Sequence, residues 1–303
     1  MKFNEFTYPS SDGIHSIHSY EYLPDGEIKA VIQVCHGISE HFGRYKELWE
    51  YMTSRGVAVC GNDHLGHGKT AEKSEYGYFA DENGWQRVCD DVVRLFEIEK
   101  KKYNNAKYCL FGHSMGSFIA RTVFMQGSID ADCYIFSGTG HQSGLTVKSG
   151  KLIGKAVRKT KKSKYDSDKF IKQLAFGSYN KKFEKRTECD WISSDKVEVD
   201  RYMSDPMCNA PVSVGLFIDM LDGLDIIRKQ KNYASCPKKS PVLFVSGTSD
   251  PVGQYGKGVE KVYSSMLKAG VNAKKYMYEG RHELFHEPVR ENVLGDIYEW
   301  LSV

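Results

Sequence analysis

The sequence Lys107-Tyr108-Cys109-Leu110-Phe111-Gly112-His113-Ser114-Met115-Gly116 decides the fold of this chain. Its first five residues predict a buried strand, and the run from Phe118 to Phe124 predicts the start of a helix. Between them, Gly112 to Gly116 has the G-x-S-x-G pattern of a nucleophile elbow, a sharp strand-to-helix turn that exposes a serine hydroxyl. Both glycines are needed because side chains there would collide with the neighbouring strand and helix. We therefore predict that Ser114 is a nucleophile.

Short apolar runs and amphipathic helical segments alternate on both sides of this turn. Strands are predicted at Val31–Cys35, Val57–Cys60, Tyr108–Phe111, Cys133–Phe136, Val242–Val245 and Lys275–Tyr278. Helices are predicted at Tyr45–Arg55, Trp85–Lys101, Met115–Gln126, Val259–Ala269 and Val289–Leu301. This alternation indicates an α/β fold with a mostly parallel sheet covered by helices on both faces. Ahead of it, the residues around Ser10-Ser11-Asp12-Gly13 predict a hairpin of edge strands.

The strand pattern stops between residues 140 and 240. This stretch has a net charge of +9, whereas the rest of the chain carries −6. Its apolar residues Phe217, Met220, Leu221 and Leu224 follow Pro211 at helical spacing. We expect a helical cap at 140–240, inserted into a core formed by 1–139 and 241–303. Ligands bind at the C-terminal edge of such sheets, and we expect the cap to lie above that edge.

Composition narrows the class of protein. The chain has 303 residues, 41% of them apolar and 27% charged, and its net charge of +3 is too small to argue for nucleic-acid binding. No signal-like or membrane-length apolar run occurs. Four of the eight cysteines (Cys35, Cys60, Cys109 and Cys133) lie in strand-like runs, as expected of small buried residues in a reducing cytoplasm.

Metal and cofactor sites have little support. No C-x-x-C pair occurs, and Glu283 and His286 after His282 only come close to a zinc-binding spacing. We expect neither a metal nor a cofactor.

A serine nucleophile needs a base and an acid that orients the base, in the chain order Ser, acid, His. Asp250 follows the strand Val242–Val245, in a loop marked by Pro251 and Gly253, and is the predicted acid. The alternative is that Asp250 is a solvated turn residue. Its rivals are three aspartates of a predicted helix, where no strand end directs them to the turn: Asp219, Asp222 and Asp225.

The predicted base is His282, which follows the strand Lys275–Tyr278 and the turn residue Gly280. His286 lies one helical turn further on and would point along a helix. His113 is expected to be a packing residue.

An oxyanion needs two N–H donors. The residue after the nucleophile, Met115, supplies one through its amide, and the loop after the strand Val31–Cys35 supplies the other through the amide of Ile38. A plain turn is the alternative for that loop. The segment Gly61–Gly68 holds two histidines and an aspartate, and its three glycines indicate a tight strand-to-helix connection. We interpret it as scaffold.

Together these segments resemble the monoacylglycerol lipase and lysophospholipase branch of the α/β-hydrolases over nearly the whole chain. The matching motifs are H-G-x-x-E-H…R-Y at His36–His41 with Arg44-Tyr45, D-x-x-G-H-G at Asp63–Gly68, G-H-S-M-G at Gly112–Gly116, Arg281-His282-Glu283-Leu284, and Asp190-Trp191-Ile192-Ser193 followed by Val199–Tyr202 and Asp205-Pro206. Ser39 stands where some members have glycine, which predicts a tighter loop that keeps its amide.

The resemblance implies an α/β-hydrolase fold with an inserted cap, a triad of Ser114, Asp250 and His282, and an oxyanion hole formed by Ile38 and Met115. It implies hydrolysis of a small-molecule acyl ester of a single-chain lipid, through an acyl-enzyme. Alternatives are an acyltransferase, a short-chain carboxylesterase, a proline-type aminopeptidase and a non-catalytic small-molecule receptor. The many lysines from Lys148 to Lys164 are a solvated helix face or a face that contacts anionic lipid surfaces.

Overall fold

The computed structural model describes residues 1–301, whose strands form one sheet of eight. The strands are β1 (Lys2–Pro9), β2 (Ser16–Leu23), β3 (Ala30–Cys35), β4 (Val57–Asn62), β5 (Lys107–His113), β6 (Cys133–Ser137), β7 (Val242–Gly247) and β8 (Ala273–Tyr278). Their order is β1-β2-β4-β3-β5-β6-β7-β8, and β3 to β8 pair in parallel. β1 and β2 form the predicted hairpin, and β2 joins β4 in antiparallel fashion.

Nine α-helices accompany the sheet in the described residues. They are α1 (Lys46–Thr53), α2 (Gly84–Lys102), α3 (Met115–Gln126), α4 (Gly144–Arg158), α5 (Lys169–Phe176), α6 (Lys196–Ser204), α7 (Val214–Ile227), α8 (Lys257–Lys268) and α9 (Arg290–Leu301). Short 3-10 helices lie at Phe42–Tyr45, Gly68–Thr70, Lys73–Glu75, Tyr179–Lys182, Gln230–Ser235 and Leu284–His286. Every element predicted in the core is present, with ends that agree to within two residues.

The central strands are buried because both faces of the sheet are covered. Every residue of β3, β4, β6 and β7 is buried. Apolar side chains of α1 and α9 pack on one face, and those of α2, α3 and α8 pack on the other. Continuous apolar strands are the pattern expected for parallel strands that bury both faces. The fold is that of an α/β-hydrolase.

The segment between β6 and β7 contains α4 to α7 and two 3-10 helices. Residues of α4, α5 and α7 surround a cavity that reaches Ser114 at the C-terminal end of β5. This insertion is therefore on the side of the sheet where the predicted site residues lie. Between residues 1 and 301, no helix combines the length and the apolar character needed to cross a membrane.

Candidate active site

Ser114 lies in a strained turn between β5 and α3. Its backbone has φ 52° and ψ −121°, a conformation that residues with a side chain rarely adopt. A Cβ at Gly112 would overlap the carbonyl oxygen of Gly116, and a Cβ at Gly116 would overlap that of Cys35. The two glycines are thus required by α3 and by β3, as the sequence predicts. Strain of this kind is typical of a residue held in place for function.

His282 borders the same cavity as Ser114 and lies beside Asp250. Nδ1 of His282 lies 3.0 Å from Oδ1 of Asp250, the distance of an ion pair, although the angle departs from that of a hydrogen bond. The same Oδ1 accepts a hydrogen bond from the N–H of Val252 at 2.8 Å. Asp250 is fully buried and His282 nearly so. Nε2 of His282 has no hydrogen-bond partner among the described residues, so it is available to accept a proton.

The surroundings of His282 favour its charged form. Burial works to lower the pKa of His282, but the carboxylate of Asp250, with smaller contributions from Glu283 and Glu40, raises that pKa overall. The neighbouring ring of His113 lies 4.7 Å away, and burial together with the charge of His282 lowers the pKa of His113 to about 3. His113 is therefore a neutral packing residue, and His282 is the basic imidazole of the site.

Ile38, Met115 and Ser114 border the same cavity. Met115 is the first residue of α3, so its N–H has no acceptor within the helix. The N–H of Ile38 has no hydrogen-bond partner among the described residues. A Cβ at Gly37 would lie 3.1 Å from Cβ of Ser114, which places the loop directly beside the serine. Two free amides next to a nucleophile can stabilise an oxyanion.

A buried charge network joins this loop to the loop of His282. The carboxylate of Glu40 accepts the N–H of Gly37 in a very short hydrogen bond and the hydroxyl of Tyr45 at 2.9 Å. Nη2 of Arg44 lies 2.6 Å from Oε2 of Glu283, and its Nε lies 3.9 Å from Glu40. One guanidinium therefore links Glu40, in the loop of Ile38, to Glu283, the residue after His282.

His286 completes the network. Its Nδ1 lies 2.9 Å from the carboxylate of Glu283. Burial works to lower the pKa of His286, but hydrogen bonds to Glu283 and Glu47 raise it to about 9. Burial works to raise the pKa of Glu283, and Arg44 and His286 hold it well below its usual range. His286 lies in the short 3-10 helix before α9, and its ring is engaged away from Ser114.

The five residues from His282 to His286 in fact spell H-E-x-x-H, which binds zinc when both histidines lie on one helical face. In the structure only Leu284–His286 are helical, and the Nδ1 atoms of the two histidines face different carboxylates, Asp250 and Glu283. The geometry does not suit a shared zinc ion.

A second group with ligand chemistry is formed by His41, Asp205 and Cys208, whose ligand atoms lie within 4.8 Å of one another. Nδ1 of His41 accepts the N–H of Gly43 at 3.1 Å, so Nε2 carries the proton and donates to Asp205 at 3.0 Å. A metal on Nε2 would require the opposite tautomer. This group is a hydrogen-bonded tie between two loops.

The remaining histidines and aspartates named above lie elsewhere. His64 and His67 are buried against His36, with ring centroids 4.2 and 5.2 Å from it. His36 accepts the N–H of His64 at 3.0 Å and contacts the carbonyl of Gly37, so these rings support the loop as scaffold. The three rival aspartates lie on α7.

Two cavities meet at the serine, and both include Ile38, Ser114, Phe176 and Trp191 in their walls. The first, of about 320 Å³, has a polar side that includes Lys169, Lys172 and Glu188. The second, of about 300 Å³, is mostly apolar. Its walls include Phe118, Ile153, Phe217, Met220, Leu221 and Leu224. The walls of both cavities are mostly apolar, and among the described residues only those of the first cavity include charged side chains. An apolar group can therefore occupy either side of Ser114, and a polar group suits the first cavity.

The buried network of Glu40, Arg44 and Glu283 was not predicted from the sequence. All three residues lie inside the motifs at His36–His41, Arg44-Tyr45 and Arg281–Leu284, and charged residues between apolar runs were the available signal. The contact of Ser39 with the insertion was not predicted either, because no local pattern indicates it.

Comparison with known proteins agrees with this geometry. The family model described as serine aminopeptidase, S33 matches residues 26–289. The monoglyceride lipase of Rattus norvegicus is 27% identical over 304 residues, which cover 97% of this chain and 88% of that protein.

Solved structures are similar as well. A highly thermostable carboxyl esterase from Bacillus coagulans, in complex with glycerol, has a TM-score of 0.92 at 28% identity and covers 100% of this chain and 98% of its own. A soluble variant of monoglyceride lipase from Saccharomyces cerevisiae has a TM-score of 0.75 at 22% identity, covers 99% and 94%, and supports the fold.

Proposed function

The chain belongs to the serine aminopeptidase, S33 family of the α/β-hydrolases, and we propose that it hydrolyses carboxylic esters of single-chain lipids, such as a monoacylglycerol or a lysophospholipid. Its relatives include lipases and esterases that cleave esters. The observation that carries the proposal is that strained Ser114 borders one cavity together with His282, the partner of Asp250, and also borders a second, mostly apolar cavity.

The proposed mechanism is an acyl-enzyme route. Ser114 attacks the ester carbonyl while Nε2 of His282 takes its proton and later passes it to the leaving alcohol. Asp250 stabilises the imidazolium, which agrees with the raised pKa of His282. The amides of Ile38 and Met115 stabilise the oxyanion. In the second half of the reaction, Nε2 of His282 takes a proton from water as the water attacks the acyl carbonyl. The acid is then released, and the proton passes from His282 to the oxygen of Ser114.

The second cavity supports a lipid substrate. Burial of each methylene in such a cavity contributes about 0.8 kcal/mol, roughly a fourfold gain in kcat/KM. We propose that the acyl chain occupies the second cavity and the alcohol the first. We also propose that residues 140–240 form a cap over both cavities, on a core of 1–139 and 241–303. The eight cysteines are buried and unpaired, which supports a reducing, cytoplasmic location.

An aminopeptidase would need a free carboxylate to bind the substrate ammonium. Among the described residues, the carboxylates in the wall of the first cavity already have partners within the protein. Glu188 pairs with Lys172 at 2.9 Å, Glu283 pairs with Arg44, and Glu40 accepts two hydrogen bonds. Ester hydrolysis therefore suits the site better than peptide hydrolysis.

The test is Ser114→Ala, assayed with short- and long-chain p-nitrophenyl esters and labelled with a fluorophosphonate. We expect loss of turnover and of labelling, with the folded structure kept. Undiminished turnover in the variant would remove the mechanism. A chain-length series of monoacylglycerols and lysophosphatidylcholines separates lipase from short-chain esterase, and products formed with competing alcohols reveal acyl transfer. A non-catalytic receptor would leave Ser114 unlabelled in the parent protein.

Contact with lipid surfaces is proposed through the outer face of α4. Leu145 and Leu152 are 80% and 73% exposed there. Lys148, Lys155 and Lys159 lie exposed on the same face, which is the outer side of a helix whose other residues border the second cavity. Apolar side chains flanked by cations suit an anionic membrane surface.

Co-sedimentation with phosphatidylserine vesicles tests this contact. Replacing Lys148, Lys155 and Lys159 together with glutamine should weaken binding at low salt. The matched control replaces Lys257, Lys261 and Lys268, which are exposed on α8. Equal binding by both variants, or equal binding to phosphatidylcholine vesicles, would contradict the proposal.

A further inference from the structure

The loop that carries the amide of Ile38 contains a serine in an unusual conformation. Ser39 has φ 55°, in the left-handed region that favours glycine, and it is 8% exposed. A residue with a side chain is strained there unless its surroundings hold it. The contacts of Ser39 identify what holds it.

Three hydrogen bonds join Ser39 to residues 202–210 of the insertion, here called segment 202–210. The carbonyl of Ser39 accepts the hydroxyl of Tyr202 at 3.1 Å and the N–H of Asn209 at 2.9 Å. The Ser39 hydroxyl in turn donates to the carbonyl of Ala210 at 3.0 Å. Both polar groups of this residue that face the insertion are therefore engaged.

Residues next to Ser39 make further contacts between the loop of Ile38 and segment 202–210. Nε2 of His41 donates to the carboxylate of Asp205 at 3.0 Å. The guanidinium of Arg44 stacks on the ring of Tyr202, 4.6 Å from its centroid. Segment 202–210 thus contacts the loop at Ser39, at His41 and through Arg44.

On the other side of Ile38 the loop is fixed from within the core. The N–H of Gly37 donates to Glu40, and Gly37 lies against the side of Ser114. The chain is therefore held on each side of Ile38 by a different part of the molecule. The peptide group between His36 and Gly37 is held through its N–H by Glu40. The peptide group between Ser39 and Glu40 is held through its carbonyl by segment 202–210.

We propose that Ser39 is a positioning residue through which segment 202–210 sets the direction of the Ile38 amide, so that the oxyanion site is complete only when this part of the insertion is seated. The inference rests on the proposed function. It adds that the insertion takes part in transition-state stabilisation, besides enclosing the substrate.

The test compares Ser39→Ala, Ser39→Gly and Tyr202→Phe, with Ser204→Ala as the control on the exposed side of α6. Each of the first three variants loses one hydrogen bond to the loop or the segment. We expect kcat on a long-chain p-nitrophenyl ester to fall about fivefold to tenfold, with KM nearly unchanged. The apparent pKa values of the kcat/KM profile should stay the same, because His282 and Asp250 are untouched.

Ser39→Gly separates this role from a purely structural one. Glycine relieves the strained φ, so the melting temperature should hold or rise while kcat falls. Ser39→Ala keeps the strained φ and should lower both the melting temperature and kcat. The double variant Ser39→Ala, Tyr202→Phe should show a less than additive loss. Fluorophosphonate labelling should slow in parallel with kcat.

Two results would overturn the inference. One is a kcat within twofold of the parent for both Ser39 variants. The other is a loss of kcat that merely follows the folded fraction measured by circular dichroism. Failure of the proposed function is distinct, since the parent protein would then neither turn over esters nor be labelled at Ser114.

Discussion

Replacing Arg44 with methionine should leave the carboxylate of Glu283 buried without its strongest partner. The side chains of Arg44 and Glu283 are only 9% and 7% exposed, and their charged atoms lie 2.6 Å apart. Removing one partner of such a pair costs about 3–5 kcal/mol, because the other charge stays desolvated. For a chain of this size, that cost lowers the melting temperature by roughly 6–15 °C. Methionine matches the length of the arginine stem, so little of the effect arises from lost packing.

Urea denaturation and thermal melts at pH 7 measure the effect. The control is Arg55→Met, an exposed arginine stacked on Tyr51, which should change stability by less than about 0.5 kcal/mol. Adding Glu283→Gln to Arg44→Met should restore about 1–2 kcal/mol, because the unpaired carboxylate is removed. If Arg44→Met costs no more stability than Arg55→Met, or if Glu283→Gln adds a further independent loss, Arg44 does not offset the desolvation of the Glu283 carboxylate.

Three further outcomes are expected. Gly116→Ala should destabilise the fold by about 3 kcal/mol or more in urea titrations, because the new Cβ would overlap a carbonyl oxygen of β3. The control is Gly127→Ala, where φ is 63° and the space around the residue is open; it should cost only about 1 kcal/mol. Asp250→Asn should lower kcat about 10³–10⁴-fold and move the acidic limb of the kcat/KM profile to lower pH, because that carboxylate raises the pKa of His282. The pKa of His286 is raised to about 9 in the folded protein. The stabilisation of the fold by protonated His286 is therefore complete below about pH 6.5 and is lost as the pH rises through 9. Melting temperatures measured across that range should decline, and the His286→Asn variant should show a flatter pH dependence.

Much of the core could be predicted because its signals are local. A strand that buries both faces needs a mostly apolar run, and β3 to β7 have such runs, although β3 includes the buried Gln33. The elbow needs small residues at Gly112 and Gly116, and it also sets where Ser114 lies. Asp250 and His282 could be proposed as partners of Ser114 because each follows a predicted strand, and parallel strands end at the same edge; their catalytic roles remain predictions.

The site beyond those residues could not be predicted in the same way. Arg44 and Glu283 are 239 positions apart, and no periodicity relates them. Ser39 is 171 positions from Ala210, and its positive φ is visible only in the folded chain. The H-E-x-x-H spacing even suggests a zinc site. In the folded chain, however, His282 and His286 face different carboxylates, and this arrangement does not suit a shared metal ion.

The sequence alone therefore determined the layered sheet and the sharp turn at Ser114, and it predicted the order of the proposed partners of that serine. These depend on steric rules that act within a few residues. Only the tertiary structure decided which charges neutralise one another, how the insertion contacts the loop of Ile38, and that two cavities meet at the serine. Those features arise from side chains that packing brings together, and desolvation makes each buried contact depend on its partner being present.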